Sequence, residues 1–171
     1  MVKPIQGMKK VLFFQAIDDA TTDGNDLRLA FQTEHTLSME REEIDELTKD
    51  GRLKDTGDIS ASIDLTAYVA SGDSTYDLLK ETFYNNELIQ VWEVDVTERV
   101  EGDKYPAIYA QGKLNSFEVS NGADGFAELS TTVAVNLTPQ EGTVTLTDDE
   151  FTAVQYAFQD FGALAGAEAG E

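Results

Sequence analysis

The stretch "TLSMEREEIDELTKDGRLKDTGDIS", Thr36 to Ser60, decides how the chain folds. It opens on an alternation, with Thr36, Ser38, Glu40 and Glu42 to one side and Leu37, Met39 and Arg41 to the other, as in a strand with one wet face. From Glu40 to Leu47 the run could also pass for a helix, but its apolar content is thin: Ile44 and Leu47 lie three apart and little joins them. "TKDG" (Thr48–Gly51) and "DTG" (Asp55–Gly57) are turn signals. Alternation then resumes, with Ile59, Ala61, Ile63 and Leu65 opposite Ser60, Ser62, Asp64 and Thr66. Two strands are therefore expected, joined by a long polar excursion over about 36–58. Either it is a loose surface loop or it reaches for a neighbour.

Outward from this stretch the chain is mostly strand. "VLFF" (Val11–Phe14) is apolar on both faces and reads as part of a central strand, Val11 to Ile17. Leu27, Leu29 and Phe31 alternate with polar or small residues and read as its hairpin partner across the turn-rich "DDATTDGND". Ser74 and Asp77 form a capping-box pattern, and Tyr76, Leu79 and Phe83 follow at helical spacing up to "NN". Gln90, Trp92, Val94 and Val96 share one strand face, while Glu93 and Asp95 take the other. Further strands are expected at 108–117 and 127–137, separated by the turn "NGADG". Pro139 is expected to end the second of these, leaving "GTVTLT" as a short last strand. Thr147 and Glu150 make a second capping pattern, continued at helical spacing by Phe151, Val154 and Phe158. The expected fold is mainly β: an antiparallel sandwich or barrel with one or two flanking helices and a long extended loop. One domain is expected over 1–158, followed by a flexible acidic Ala/Gly-rich tail over 159–171.

Composition narrows the function. The 171 residues include 33 acidic and 12 basic side chains, for a formal charge of −21, and neither Lys nor Arg follows Lys113. Such a surface repels nucleic acid, because gripping phosphate needs neutralising bases. Cysteine is absent, which removes disulfides, thiolate nucleophiles and cysteine metal clusters. The N-terminal apolar run is too short and too early broken, by Pro4 and Gly7, for a signal peptide, and no stretch has the length of a membrane span. His35, the one histidine, has no triad spacing around it. The run from Asp19 places Asp19, Asp23 and Gly24 like a calcium loop, but Ala30 stands where the bidentate Glu belongs. No phosphate loop is present, and nothing selects a catalytic acid pair. No catalytic residue, cofactor or metal is expected.

Several words, in order, carry a resemblance: "VKPIQG", "LAFQTEHTLS", "TKDG", "IDLTAYVASGD", "VWEV", "YPAIYAQGKLNSFE" and "FAELSTTVAVNLTPQEG". Across Val2 to Phe158 the sequence resembles the major tail proteins, or tail-tube proteins, of long flexible-tailed bacteriophages, the group typified by phages of lactic-acid bacteria. The resemblance implies a β-sandwich or barrel that forms hexameric rings. The rings stack into a hollow tube around a tape-measure protein, between a terminator or connector and a distal-tail or baseplate protein. DNA passes through the lumen without specific binding. It also implies a virion-tail location after assembly in the bacterial host cytoplasm, with no membrane involved and no catalytic residues to carry over.

The resemblance aligns Thr48, Lys49, Asp50 and Gly51 with the family's "TKDG" word, in the excursion that tube proteins extend toward neighbours. The expected inter-subunit arm comprises Arg41, Ile44, Leu47, Thr48, Lys49, Asp50, Gly51, Arg52 and Lys54, with its bases meeting acids on the next copy. Ordering it costs roughly 1–2 kcal/mol per residue in backbone entropy, so a neighbour must supply contacts. Glu93 and Asp95 are the expected lumen-facing acids, with outside solvent as the rival destination. Two other classes stay open on the same architecture: an acidic adhesin or sugar-binding module, and an acidic nucleic-acid mimic that binds a basic protein.

Overall fold

A computed structural model of the chain describes residues 4, 7–17, 28–97 and 99–146. A 3-10 turn at Gly7–Lys9 leads into β1 (Lys10–Ala16). Then come β2 (Gln32–Thr48), β3 (Gly51–Tyr68), α1 (Ser74–Asn85), β4 (Ile89–Asp95), β5 (Lys104–Ser120) and β6 (Glu128–Thr145). All pairings are antiparallel, and the strands form one sheet in the order β1-β4-β5-β6-β3-β2.

Alternation sorts the side chains onto two faces. Ile63 and Leu65 of β3, Leu129 and Val133 of β6, and Ile89 and Val91 of β4 meet Leu12 and Phe14 of β1 in the main core, with Leu79 of α1 laid across them. Each such side chain, fully buried, contributes about 1.5–3 kcal/mol. A second cluster lies on the other face of β1, β4 and β5, where Val11 and Phe13 pack with Val94, Val96, Tyr105 and Leu146. "VLFF" is therefore buried on both faces, but β1 is not central: it is an end strand of the sheet. Two hydrophobic clusters, not two neighbouring strands, account for its burial.

The sheet curls until the root of β2 returns to β1. There the Gln32 side chain does the work of a missing strand. Its Oε1 accepts from Leu12 N–H at 3.0 Å, and its Nε2 donates to Leu12 C=O at 2.7 Å and to Leu29 C=O at 3.1 Å. These bonds satisfy an edge that would otherwise stay open. Gln32 also marks where β2 starts. The expected alternation through Phe31 fails because Phe31 has a left-handed backbone (φ 51°), which turns its ring out to 65% exposure while Leu29 stays buried.

Helix α1 starts one residue earlier than its capping pattern suggests. Asp73 is the cap, its carboxylate accepting from Thr75 N–H at 2.9 Å and Tyr76 N–H at 3.3 Å. Its second oxygen accepts from Ala30 N–H at 2.8 Å, tying the helix to the turn before β2. Ser74 has no second carboxylate oxygen to make both links. Tyr76 and Phe83 pack against Phe117, and the helix ends at a left-handed Asn86 (φ 54°).

Pro139 does not end β6. The strand runs through it to Thr145, and the register jumps from Gln111↔Asn136 to Tyr109↔Gln140. Residues 137–139 form a bulge with Leu137 in left-handed geometry (φ 60°), so a missing proline N–H breaks no ladder bond. The second expected helix, the calcium-like run at 19–24 and the tail at 159–171 lie outside the described residues.

Candidate functional site

The excursion after Thr36 is not a loop. β2 and β3 pair from Gln32↔Ala67 to Thr48↔Gly51, with only Lys49 and Asp50 at the turn. The Thr48 hydroxyl donates to Gly51 C=O at 2.7 Å, and Gly51 takes a φ of 132° that a side chain would resist. Where the ribbon leaves the body the register slips between Arg41 and Glu43. The Arg41 guanidinium braces the slip, donating to Gly57 C=O at 2.9 Å. Beyond it the paired strands run on for roughly 20–25 Å at about 3.3 Å per residue. From Met39 to Thr56 every residue is exposed, so neither face of this outer ribbon meets its own subunit.

Cross-strand pairing puts Asp45, Glu43, Arg52 and Lys54 on one ribbon face. Arg52 Nε lies 2.6 Å from Asp45 Oδ1, and Lys54 Nζ lies 3.4 Å from Glu43 Oε1 and 3.9 Å from Asp45 Oδ2. Arg52 and Lys54, two of the bases expected to reach acids on a neighbour, are thus engaged within their own ribbon. Exposed pairs of this kind contribute little, typically about 0–1 kcal/mol each. The other face carries Ile44 and Leu53 between Glu46 and Asp55. Leu47, near the tip, is 86% exposed, and Leu53 is 54% exposed. The remaining expected arm residues, Lys49 and Asp50, make the turn itself.

Glu93 lies elsewhere than a bare wall. It is 8% exposed, and its carboxylate bridges two strands: Lys10 Nζ at 2.9 Å from β1 and His35 Nε2 at 3.1 Å from β2. The His35 hydrogen bond, joined by the bond and charge of Lys10, outweighs burial and pulls the carboxyl from its ordinary 4.5 to about 2. Glu93 is therefore an ionised cross-brace inside its own subunit, closing the barrel beside Gln32. Asp95 is half-buried, with Oδ1 accepting from Thr97 N–H at 2.9 Å. Sequence reading missed both partners, since His35 and Glu93 lie 58 positions apart. The one available signal was an acid in a strand apolar on both sides.

Among the described residues there is no group of His, Asp and Glu able to hold a metal, and no helix long and apolar enough to cross a membrane. A family profile described as phage tail tube protein matches residues 5–141, most of the chain and the whole ribbon. The chain belongs to the phage tail tube protein family. It is 34% identical to the tail tube protein of Bacillus phage SPP1 over 166 residues, 95% of this chain. It spans only 62% of that relative's length. A putative tail protein of Staphylococcus phage phiMR25 is 30% identical over 141 residues, covering 78% of this chain and 72% of that one. In structure the chain is similar to the subunit of the SPP1 tail tube solved by solid-state NMR and cryo-electron microscopy: TM-score 0.78, 29% identity, 98% of this chain and 96% of that one covered. The family resemblance read from the quoted words and the mainly β fold are both confirmed. Membership makes this a structural protein of the virion tail.

Proposed function

We propose that this chain is a subunit of a phage tail tube, in which copies close into six-membered rings, the rings stack, and the β2-β3 ribbon of each copy lies on a neighbour. The observation that carries this reading is the outer ribbon, exposed on both faces from Met39 to Thr56 yet bearing Ile44, Leu47 and Leu53. A two-stranded hairpin alone is marginal in water, so this one has reason to be covered in use. A contact made by an arm on a different surface is head-to-tail, the type that closes rings or builds filaments. The related SPP1 protein is described as forming a tail tube. By the same reading the tube surrounds a tape-measure protein, meets a terminator or connector at one end and a distal-tail or baseplate protein at the other, and conducts DNA. The chain performs no catalysis and assembles in the host cytoplasm before residing in the virion.

Electron microscopy of the concentrated protein tests this directly. Rings or tubes with a central hole are expected, and the double variant Leu47→Asp/Leu53→Asp is expected to give folded monomers. A wild-type protein that stays monomeric at high concentration would refute the reading. So would a double variant that assembles normally.

A further inference from the structure

We propose that Asn121–Gly122, in the turn between β5 and β6, is a self-modifying site: Asn121 converts without an enzyme to isoaspartate and aspartate, which adds a negative charge and re-routes the backbone of that turn. The proposal does not depend on the tube reading. Asparagine is a chemically labile residue. This chain has it at 25, 85, 86, 115, 121 and 136, and only Asn121 is followed by glycine. The reaction is intramolecular. The Gly122 backbone nitrogen attacks Cγ of the Asn121 side chain and gives up its proton. A bond from that nitrogen to Cγ forms, the bond from Cγ to Nδ2 breaks, and ammonia leaves with the proton. The product is a cyclic imide. Water then adds to one of its carbonyls. Breaking the ring bond at Cγ gives aspartate; breaking it at the main-chain carbonyl leaves isoaspartate, with the main chain running through Cγ.

The attack needs an unhindered nitrogen, an N–H that is not already held, and a backbone able to swing. Gly122 has no side chain, and nothing stands within 4 Å of where its Cβ would be. β5 ends at Ser120 and β6 begins at Glu128, and residues 121–126 between them are all exposed. No hydrogen bond between described residues holds the Asn121 amide or the Gly122 N–H. The other asparagines are placed differently. Asn86 N–H donates to Phe83 C=O at 3.3 Å and Glu87 N–H to Thr82 C=O at 3.0 Å, so the nitrogens that would attack Asn85 and Asn86 are held. Asn115 and Asn136 lie inside β5 and β6 and are followed by Ser116 and Leu137, whose side chains crowd the attack. Asn25 lies outside the described residues. Asp50–Gly51 and Asp124–Gly125 have the same glycine, but a carboxylate accepts a nucleophile less readily than an amide, and Gly51 is tied into the ribbon by its pairing with Thr48.

The change falls where the chain has least means to absorb it. No Lys or Arg follows Lys113, and the acids Glu118, Asp124 and Glu128 lie on either side of Asn121 in the sequence. The new carboxylate adds one negative charge to the −21 of the chain. Isoaspartate also inserts a methylene into the main chain, between the Ser120↔Glu128 pair and Phe126, whose ring meets Tyr68 edge-on with centroids 5.7 Å apart. This turn lies at the Tyr68 end of β3, away from the ribbon tip at Gly51, so the ribbon is left unchanged. Because the conversion needs only water and time, the turn records the age of the folded protein.

The test stores the purified full-length protein in mildly alkaline buffer and samples it over weeks. Isoaspartate is read by methyl transfer from labelled S-adenosylmethionine with an L-isoaspartyl methyltransferase. Peptide mass spectrometry locates it, the exchange of amide for acid showing as a mass gain. Isoaspartate and aspartate are expected to accumulate at position 121 of the folded protein, ahead of any acid at Asn85, Asn86, Asn115 or Asn136. Gly122→Ala is the decisive variant. Gly122 has no left-handed backbone and its Cβ position is open, so the urea unfolding curve should stay unchanged, while the added methyl hinders attack and most of the product at 121 is lost. Asn121→Gln, whose longer amide closes a less favourable ring, should also stay unmodified. An Asn121 still intact after weeks would overturn the proposal, as would a Gly122→Ala variant modified as fast as wild type. Methyl acceptance that maps only to Asp50 or Asp124, with no mass gain, would overturn it too. None of these outcomes depends on whether the sample holds monomers, rings or tubes, so the tube reading stands or falls separately.

Discussion

Replacing Glu93 by Gln tests whether the cross-brace between β1, β4 and β2 holds the barrel together. Gln keeps the shape and one acceptor but removes the charge that Lys10 and His35 face. The carboxyl sits at about 2 instead of 4.5, and at about 1.4 kcal/mol per pKa unit the folded state favours the ionised form by on the order of 3 kcal/mol. The Lys10 side chain is 32% exposed, so water screens part of its share. A loss of about 2 kcal/mol is therefore expected for the variant at pH 7. The pH dependence has a definite sign. A carboxyl depressed by folding stabilises fully above its unfolded pKa, and that contribution fades as pH falls from about 4.5 toward 2. Urea unfolding of dilute protein at several pH values, read as the difference between wild type and Glu93→Gln, cancels the many other acids that titrate in the same window. The difference should be largest at neutral pH and shrink below about pH 4.5. A variant within about 0.5 kcal/mol of wild type at pH 7, with a difference flat across the acid range, would refute the brace.

Three further outcomes follow from other contacts. Gln32→Leu strips the Leu12 N–H and C=O and the Leu29 C=O of their side-chain partner, and each polar group left buried costs about 1–3 kcal/mol; urea unfolding should show a loss of about 2–5 kcal/mol. Gly112→Ala would put a Cβ 2.2 Å from Ala134 O and 2.9 Å from Ala134 C, atoms of the paired strand that cannot step aside, so thermal unfolding should drop by roughly 10 °C, for about 3 kcal/mol of overpacking. Added salt should promote assembly as followed by light scattering, because each copy carries −21; assembly that weakens steadily with salt would show attractive pairs dominating repulsion.

The parts legible in the sequence are those with one wet face and one buried face. Ile59 to Leu65 and Ala127 to Val135 show period-two alternation because β3 and β6 divide water from core there. The outer ribbon has no such division. With both faces in water, Glu40 to Leu47 carries no periodicity that a buried side would impose, and loop, helix and strand stayed in competition. What settles it is a pairing partner, Arg52 to Ile59, that local pattern could not nominate. The same limit hid the barrel closure. Gln32 acts on Leu12 across 20 positions and His35 on Glu93 across 58, and neither side chain advertises a distant partner. Pro139 misled for the opposite reason: the rule that proline ends strands is sound, but a bulge supplies a place where its missing N–H breaks nothing.

Under the tube proposal, the ribbon's internal pairings change how a neighbour would be recognised. A ribbon with unpaired bases would bind by charge, and an arm without its own ladder would bind only after its backbone had been ordered. This ribbon has its backbone paired from Glu43↔Thr56 to Thr48↔Gly51, and its Arg52 and Lys54 held by Asp45 and Glu43. Much of the backbone ordering cost is then met before contact, which favours association through pre-organisation. What the ribbon has left to offer is Ile44 and Leu53 on one face and, near the tip on the face of Arg52, Leu47. Burying these three side chains would contribute roughly 25 cal/mol per Å² of apolar surface, with no acid-base pair needing to form between two strongly acidic copies. The specificity of the arm then lies in its few aliphatic side chains, and the acids around them act against any partner that is not shaped to receive those three.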